Sequence, residues 1–329
     1  MPPVVNFGWS NLKGEVNDKH IKHYTDRAKG GVGLIIVEAT AVNPKGRITD
    51  TQLGAWSNEQ IPGLKRLVDE VHNYGCRVLL QLVHAGLATK TSISPRAVGP
   101  SARDDIVNSY ALTIEDISAI VNDFVQSAVR ADKAGFDGVE LHGAHGYLLN
   151  QFTNSFINER IDSYGGVATN RLRIAIEIIQ AIRKVAKREF IISYRMGGNS
   201  PTLLDGIELA KLLDVQDIDL LHISHGGEKG IIPEVPSGFD YNWIVFCGTE
   251  IKKHVKVPVI VVNQIKTPER ADWLIKNGKA DFIAIGKDIL TDSQWVNKAM
   301  RNDEINYCIQ CQPRCKRYED PETCPLFQN

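Results

Sequence analysis

The chain has 329 residues, 43% hydrophobic and 23% charged, the mix of a globular protein with enough apolar material for a substantial core. Lys plus Arg number 38 against 39 Asp plus Glu, a formal charge of −1, which leaves no basic field for nucleic acid or an anionic membrane surface. Apolar runs such as Val32–Val37 are far too short to cross a bilayer, and Met1–Asn6 lacks the basic region and cleavage site of an export signal; a membrane protein, a disordered chain and a secreted disulfide scaffold are set aside in favour of a cytoplasmic protein.

Short β-branched runs alternate with longer amphipathic stretches along the chain. Candidate strands are Pro3–Phe7, Val32–Glu38, Arg77–Leu82, Gly138–His142, Phe190–Arg195, Asp219–Ser224, Pro258–Asn263 and Asp281–Gly286. Runs such as Val259–Val262 suit strands buried on both faces, hence a parallel sheet. Between them, Thr113–Lys133 opens with a capping box, Thr113-Ile-Glu-Asp116, Asn170–Lys187 has helical spacing, and Pro268 follows Thr267 at a first helical turn. Eight consecutive βα units predict a (β/α)8 TIM barrel over residues 1–303, followed by a short Cys-rich tail at 304–329. A doubly wound open sheet is the alternative, but no Gly-rich dinucleotide fingerprint follows the first strand. That strand begins almost at Met1, so nothing is expected before it to plug the bottom of the barrel.

Barrel enzymes carry their chemistry where strands end and βα loops begin. Arg195 closes the apolar run Ile191–Arg195. A guanidinium there cannot lose its charge and needs an anion, either a nearby carboxylate or an anionic ligand. His142 and His145 lie three residues apart where a strand opens into a loop, with Tyr147 two residues further on. Imidazoles can donate hydrogen bonds to a developing oxyanion and a phenol can supply a proton; a packed strand-end histidine with a satisfied partner is the structural alternative. Gln81 offers one acceptor and two donors to a heterocycle edge. Ala39 leaves room for a flat ring, and Gly286-Lys287 closes the eighth strand where barrels often bind phosphate.

Several segments, taken together, resemble the Old Yellow Enzyme family of FMN-dependent NAD(P)H:flavin oxidoreductases, in its bacterial thermophilic-type branch. They are Arg27–Ala39, Gly46-Arg-Ile48, Gln81-Leu-Val-His-Ala-Gly86, Ala134–His142, His142-Gly-Ala-His-Gly-Tyr147, Asn158–Gly166, Asn170-Arg171 and Ala280–Gly286. The resemblance implies that Pro3, Val4, Val5 and Ala39 line the flavin ring, that Gln81 bonds its pyrimidine edge, and that Arg195 stabilises the anionic reduced form. It also implies that His142 and His145 hold the electron-withdrawing group of an unsaturated substrate while Tyr147 protonates it. Asn263, Gly286 and Lys287 would hold the phosphate. NAD(P)H would be the electron donor in a ping-pong cycle that reduces activated C=C bonds of small α,β-unsaturated carbonyl-type compounds, and relatives include homo-oligomers. The chain departs from the family pattern with Val5 for Thr or Cys, Phe7 for a frequent Tyr, Leu87 for Arg, Asn263-Gln264 for Gly-Gly and Lys287 for Arg; a potential-tuning hydrogen bond at Val5 is therefore expected to be missing.

Cys308, Cys311, Cys315 and Cys324 follow C-x2-C-x3-C-x8-C spacing. In a cytosolic chain four clustered thiolates point to metal, either a [4Fe–4S] cluster or zinc, before disulfides; four free thiols are the alternative. The first three spacings resemble the cluster-binding tail of the 2,4-dienoyl-CoA reductases, with a shorter last gap. That resemblance implies an alternative function, an iron–sulfur flavoenzyme of the dienoyl-CoA or enoate reductase type fed by a separate donor.

Overall fold

The structure is a computed structural model that describes residues 1–227, 229–312, 315 and 323–326. Nine strands are present among these residues: β1 (Leu34–Ala41), β2 (Arg77–Val83), β3 (Ala97–Gly99), β4 (Ser109–Ala111), β5 (Gly138–Gly143), β6 (Ile191–Gly197), β7 (Leu220–Ser224), β8 (Val259–Val262) and β9 (Phe282–Ala284). Seven form one curled, all-parallel sheet in the order β1-β2-β5-β6-β7-β8-β9, with helices between successive strands. This is the barrel architecture expected, with one correction.

The first candidate strand, Pro3–Phe7, is not a strand. Pro2 and Pro3 have no N–H to give a ladder. The segment instead runs extended beside β1, where the Met1 ammonium donates to the Leu34 carbonyl (2.6 Å) and Ile36 and Ala39 N–H donate to the Met1 and Val4 carbonyls (3.1 and 3.3 Å). Two further differences concern elements between the barrel strands. β3 and β4, a short parallel pair ahead of the helix Ile114–Ala134, carry no periodic signal and were not expected. The helix expected over Asn170–Lys187 is two helices, Ala168–Arg171 and Arg173–Val185, separated at Leu172. The Thr113–Asp116 capping box forms in both directions, at 3.1 and 3.0 Å, and Pro268 opens the helix Pro268–Lys276.

Alternation along the strands sorts side chains between two apolar regions. Ile35, Val37, Val78, Leu80, Val139 and Ile192 pack outward against the helices. Ile36, Leu79, Leu220 and Ile260 form a smaller cluster inside the barrel. Its lower end, at the strand N-termini, holds an apolar cavity of about 550 Å³ lined by Leu34, Ile191, Phe282 and their neighbours. Two residues further along the strands the interior turns polar at Gln81, Glu140, Ser193 and His222. Another step gives His142, Arg195 and Ser224 at the mouth. Register fixes these neighbours: Gln81 lies opposite Glu140, Glu140 opposite Ser193, and Arg195 between His142 and His222. Among the described residues no helix is long and apolar enough to cross a membrane.

Candidate active site

A cavity of about 310 Å³ opens at the strand C-termini and is lined by Pro3, Val4, Val5, His145, Arg195, Asn263, Gly286 and Lys287, all expected from the sequence. It also takes in Gln264, Lys266, Cys308 and Gln310, which were not expected. Ala39, expected at the ring, is buried behind the cavity and not part of its lining; its N–H donates to the Val4 carbonyl. Gln81 and His142 belong to the polar layers beside Arg195 rather than to the cavity lining. Val5 is exposed, and its side chain has no polar atom, so the hydrogen bond expected to be missing has no donor here.

Arg195 is the charged centre of the site. Its Nη1 donates to the Pro3 carbonyl and its Nη2 to Ser224 Oγ, both at 3.4 Å, and its buried Nε has no partner. No carboxylate lies within ion-pair distance of it among the described residues. Burial lowers its pKa to about 10, against the opposing field of Glu140, so it stays a cation at neutral pH. Below it, Glu140 is completely buried and accepts three hydrogen bonds, from Gln81 Nε2 (2.8 Å), Ser193 Oγ (3.1 Å) and His222 Nδ1 (2.9 Å). Burial alone would raise the Glu140 carboxyl, but His222, Arg195 and His142 outweigh it and the net direction is down. Burial and the Arg195 field lower His222. Glu140 is therefore the anion, with His222 Nδ1–H as one of its donors. With its amide nitrogen held by Glu140, Gln81 is left with a buried, partnerless Oε1 that can only accept.

The histidine pair is an expected grouping that the structure does form. His145 Nδ1 lies 3.2 Å from His142 Nε2 and His145 Nε2 lies 2.7 Å from Ser224 Oγ. The Tyr147 ring sits edge-on to His142 at 5.0 Å. Burial first, then Arg195, lowers His142 to about 3 and His145 in the same direction; both rings are neutral at ordinary pH. Proton directions along this chain follow from its charged end. Arg195 donates to Ser224, Ser224 Oγ–H can donate to His145 Nε2, and His145 Nδ1–H to His142 Nε2. That leaves the proton of His142 on Nδ1, an atom with no protein partner. Burial raises Tyr147 to about 12, so its phenol keeps its proton. His145 has φ +62, an uncommon backbone for a non-glycine residue. Its loop packs on Gly227, where a Cβ would meet Gly146 N at 2.7 Å.

At the other end of the cavity, Lys266 and Lys287 supply two cations beside Asn263 and Gln264. Asn263 and Gln264 have φ +104 and +52, so the chain keeps here a conformation suited to glycine. The tail returns to this end, with Asn306 N–H on Asp292 (3.0 Å) and Cys308 N–H on Asp288 (2.8 Å). Cys308, Cys311, Cys315 and Cys324 are all partly exposed thiols outside any disulfide. Among the described residues no three His, Cys, Asp or Glu side chains are grouped closely enough to hold a metal ion.

A parallel barrel with a buried arginine whose Nε is free, an acceptor-only amide and a neutral His–His–Tyr group at its mouth suits a flavin-binding barrel oxidoreductase. The buried, partnerless atoms of Gln81, Arg195 and His142, the apolar wall of Pro3–Val5 and the distal lysines fit a flat heteroaromatic ring with an anionic tail. Comparison with known proteins is specific. The model of the NADH:flavin oxidoreductase / NADH oxidase family matches residues 1–306. An NADH oxidase of Thermoanaerobacter brockii is 39% identical over 96% of this chain and 50% of its own length, and an NADPH dehydrogenase of Listeria welshimeri is 37% identical over 91% and 88%. The chain thus spans half the length of the first of these relatives. Among solved structures, an Old Yellow Enzyme homologue from Zymomonas mobilis superimposes with TM-score 0.81 at 25% identity, covering 99% of this chain and 95% of its own. Morphinone reductase in complex with tetrahydroNAD gives 0.78 at 26%, covering 93% and 87%. The chain belongs to the NADH:flavin oxidoreductase / NADH oxidase family, the Old Yellow Enzyme family.

Proposed function

We propose that the chain is an ene-reductase barrel that uses NAD(P)H to reduce activated C=C bonds of α,β-unsaturated carbonyl-type compounds, in two half-reactions sharing one cavity. The observation that carries this reading is the neutral His142–His145 pair beside a Tyr147 that is protonated at neutral pH, at the same mouth as Arg195 with its free Nε. FMN, when bound, supplies hydride exchange between nicotinamide and alkene. Gln81 Oε1 accepts from a ring N–H. Arg195 places a fixed positive charge where negative charge develops. Asn263, Gly286, Lys266 and Lys287 hold the phosphate, the lysines as point charges. His142 donates from Nδ1 to the substrate's electron-withdrawing oxygen, with His145 fixing its tautomer, and Tyr147 delivers the proton to carbon. Tyr147→Phe is expected to slow alkene-driven reoxidation by about 10²–10⁴-fold, and His142→Ala to weaken enone binding, while both retain FMN and its reduction by NAD(P)H. Unchanged reoxidation in both variants would remove these roles.

A second reading is favoured by one observation: Cys308 lines the cavity itself. A [4Fe–4S] cluster held by Cys308, Cys311, Cys315 and Cys324 would then lie beside the cofactor site and could pass electrons from a separate donor, whereas a zinc ion held there would be structural only. Iron and acid-labile sulfide in anaerobically purified protein test it; about one equivalent of zinc with no sulfide favours a structural zinc site instead, and the absence of both metals removes this reading.

A further inference from the structure

Below Glu140 the barrel side chains of Ile36, Leu79, Leu220 and Ile260 are apolar, and the buried Met1 ammonium, bonded beside Leu34 and Ile36, is a group whose field, when charged, also reaches Glu140. A buried carboxylate is costly to desolvate, so packing alone would be served better by continuing that apolar layer upward. Its surroundings are instead built for the anion, with three donors from three different strands, Gln81, Ser193 and His222. Arg195 stands one layer above, without direct contact. Two consequences follow from that placement. Glu140 decides which end of the Gln81 amide is free, and it sets a negative charge against the one cation of the upper layer.

We propose that Glu140 is a positioning residue for the flavin, pinning Gln81 as an acceptor and holding down the reduction potential that Arg195 raises. The proposal rests on the FMN-dependent reading above. Removing the anion leaves Arg195 unopposed and stabilises reduced, negatively charged flavin, which favours reduction by nicotinamide and disfavours hydride delivery to the alkene. Ser193→Ala acts in the opposite sense: it strips one donor from Glu140 and leaves its charge less neutralised.

The test is the midpoint potential of bound FMN in the holoenzyme and in Glu140→Gln and Ser193→Ala holoenzymes, with the two half-reactions followed separately. Glu140→Gln keeps the shape and can still accept from Gln81, so charge is the main change. It is expected to raise the reduction equilibrium at least tenfold, about 30 mV for a two-electron couple, and to slow reoxidation by an enone. Ser193→Ala is expected to move the potential the other way. A purely structural Glu140 would change FMN retention or folding in Glu140→Gln and leave Ser193→Ala at the parent potential. Parent potentials in both variants, or in Ser193→Ala alone should Glu140→Gln not fold, overturn the proposal while the ene-reductase reading stands. Parent protein that takes no FMN, or is not reduced by NADH or NADPH, overturns both.

Discussion

A guanidinium buried at the top of a strand without a carboxylate in reach is costly, and Arg195 was conspicuous in the sequence for that reason. Its answer turned out to be layered: Glu140 opposes it from below without touching it, and its Nε is left free. Glu140 was not legible. In Val139-Glu-Leu141 it reads as one polar residue in a strand, and only the parallel register, which sets it between Gln81 and Ser193, discloses its partners. The same holds for Ser224, visible as a strand end but with no hint that it joins Arg195 to His145. The histidine and tyrosine states give a pH prediction. With the lowered His142 at about 3 and the raised Tyr147 at about 12, His142 is neutral above the first value and Tyr147 protonated below the second. The alkene half-reaction, followed by stopped flow with pre-reduced enzyme, should therefore be flat from about pH 5 to 8, below the range where Arg195, lowered to about 10, begins to lose its charge. An inflection near 6.5, the ordinary histidine value, would mean that an imidazole titrates in the step.

Elements were legible where the local pattern and the tertiary environment agree. Strands buried on both faces, such as Val259–Val262, and helices with a cap, such as Ile114–Ala134, lie within a residue or two of expectation. Pro3–Phe7 failed because Pro2 and Pro3 have no N–H to complete a ladder, so the segment bonds to β1 only through isolated contacts. β3 and β4 failed because three-residue strands carry no period. The loop after β8 shows an element departing from its family pattern while keeping its shape. Asn263 and Gln264 hold positive φ where the family places Gly-Gly. Left-handed backbone at a non-glycine residue costs about 1–2 kcal/mol, and glycine returns part of that gain as unfolded-state entropy. Gln264→Gly should therefore raise the stability read from denaturant midpoints by about 0.5–1 kcal/mol. Gln264→Val, β-branched and poorly tolerated at that φ, should lower it. A glycine variant no more stable than the parent would show that the loop stores no strain.

Across the whole molecule, polarity rises along the barrel axis: an apolar lower layer, then a carboxylate held by three donors, then Arg195 and the histidines. The first two levels are dictated by where strand alternation puts each side chain, and the third selects the ligand. One barrel therefore provides both a packed base and a mouth suited to a flavin, with the N-terminal segment, the loop after β8 and the returning tail closing around it. The fold class and most of the mouth were readable because barrel chemistry gathers at strand ends; Lys266 and Cys308 were not, because loop and tail paths are set by tertiary contacts rather than by periodicity. The central claim, that this mouth binds FMN and passes hydride from nicotinamide to an activated alkene, is tested most directly by one measurement. It is the visible absorption spectrum of anaerobic protein loaded with FMN, recorded before and after NADH or NADPH and again after an enone. Flavin bands that bleach with nicotinamide and return with the enone are the predicted result; protein that takes up no FMN, or bound flavin that neither nicotinamide bleaches, would contradict it.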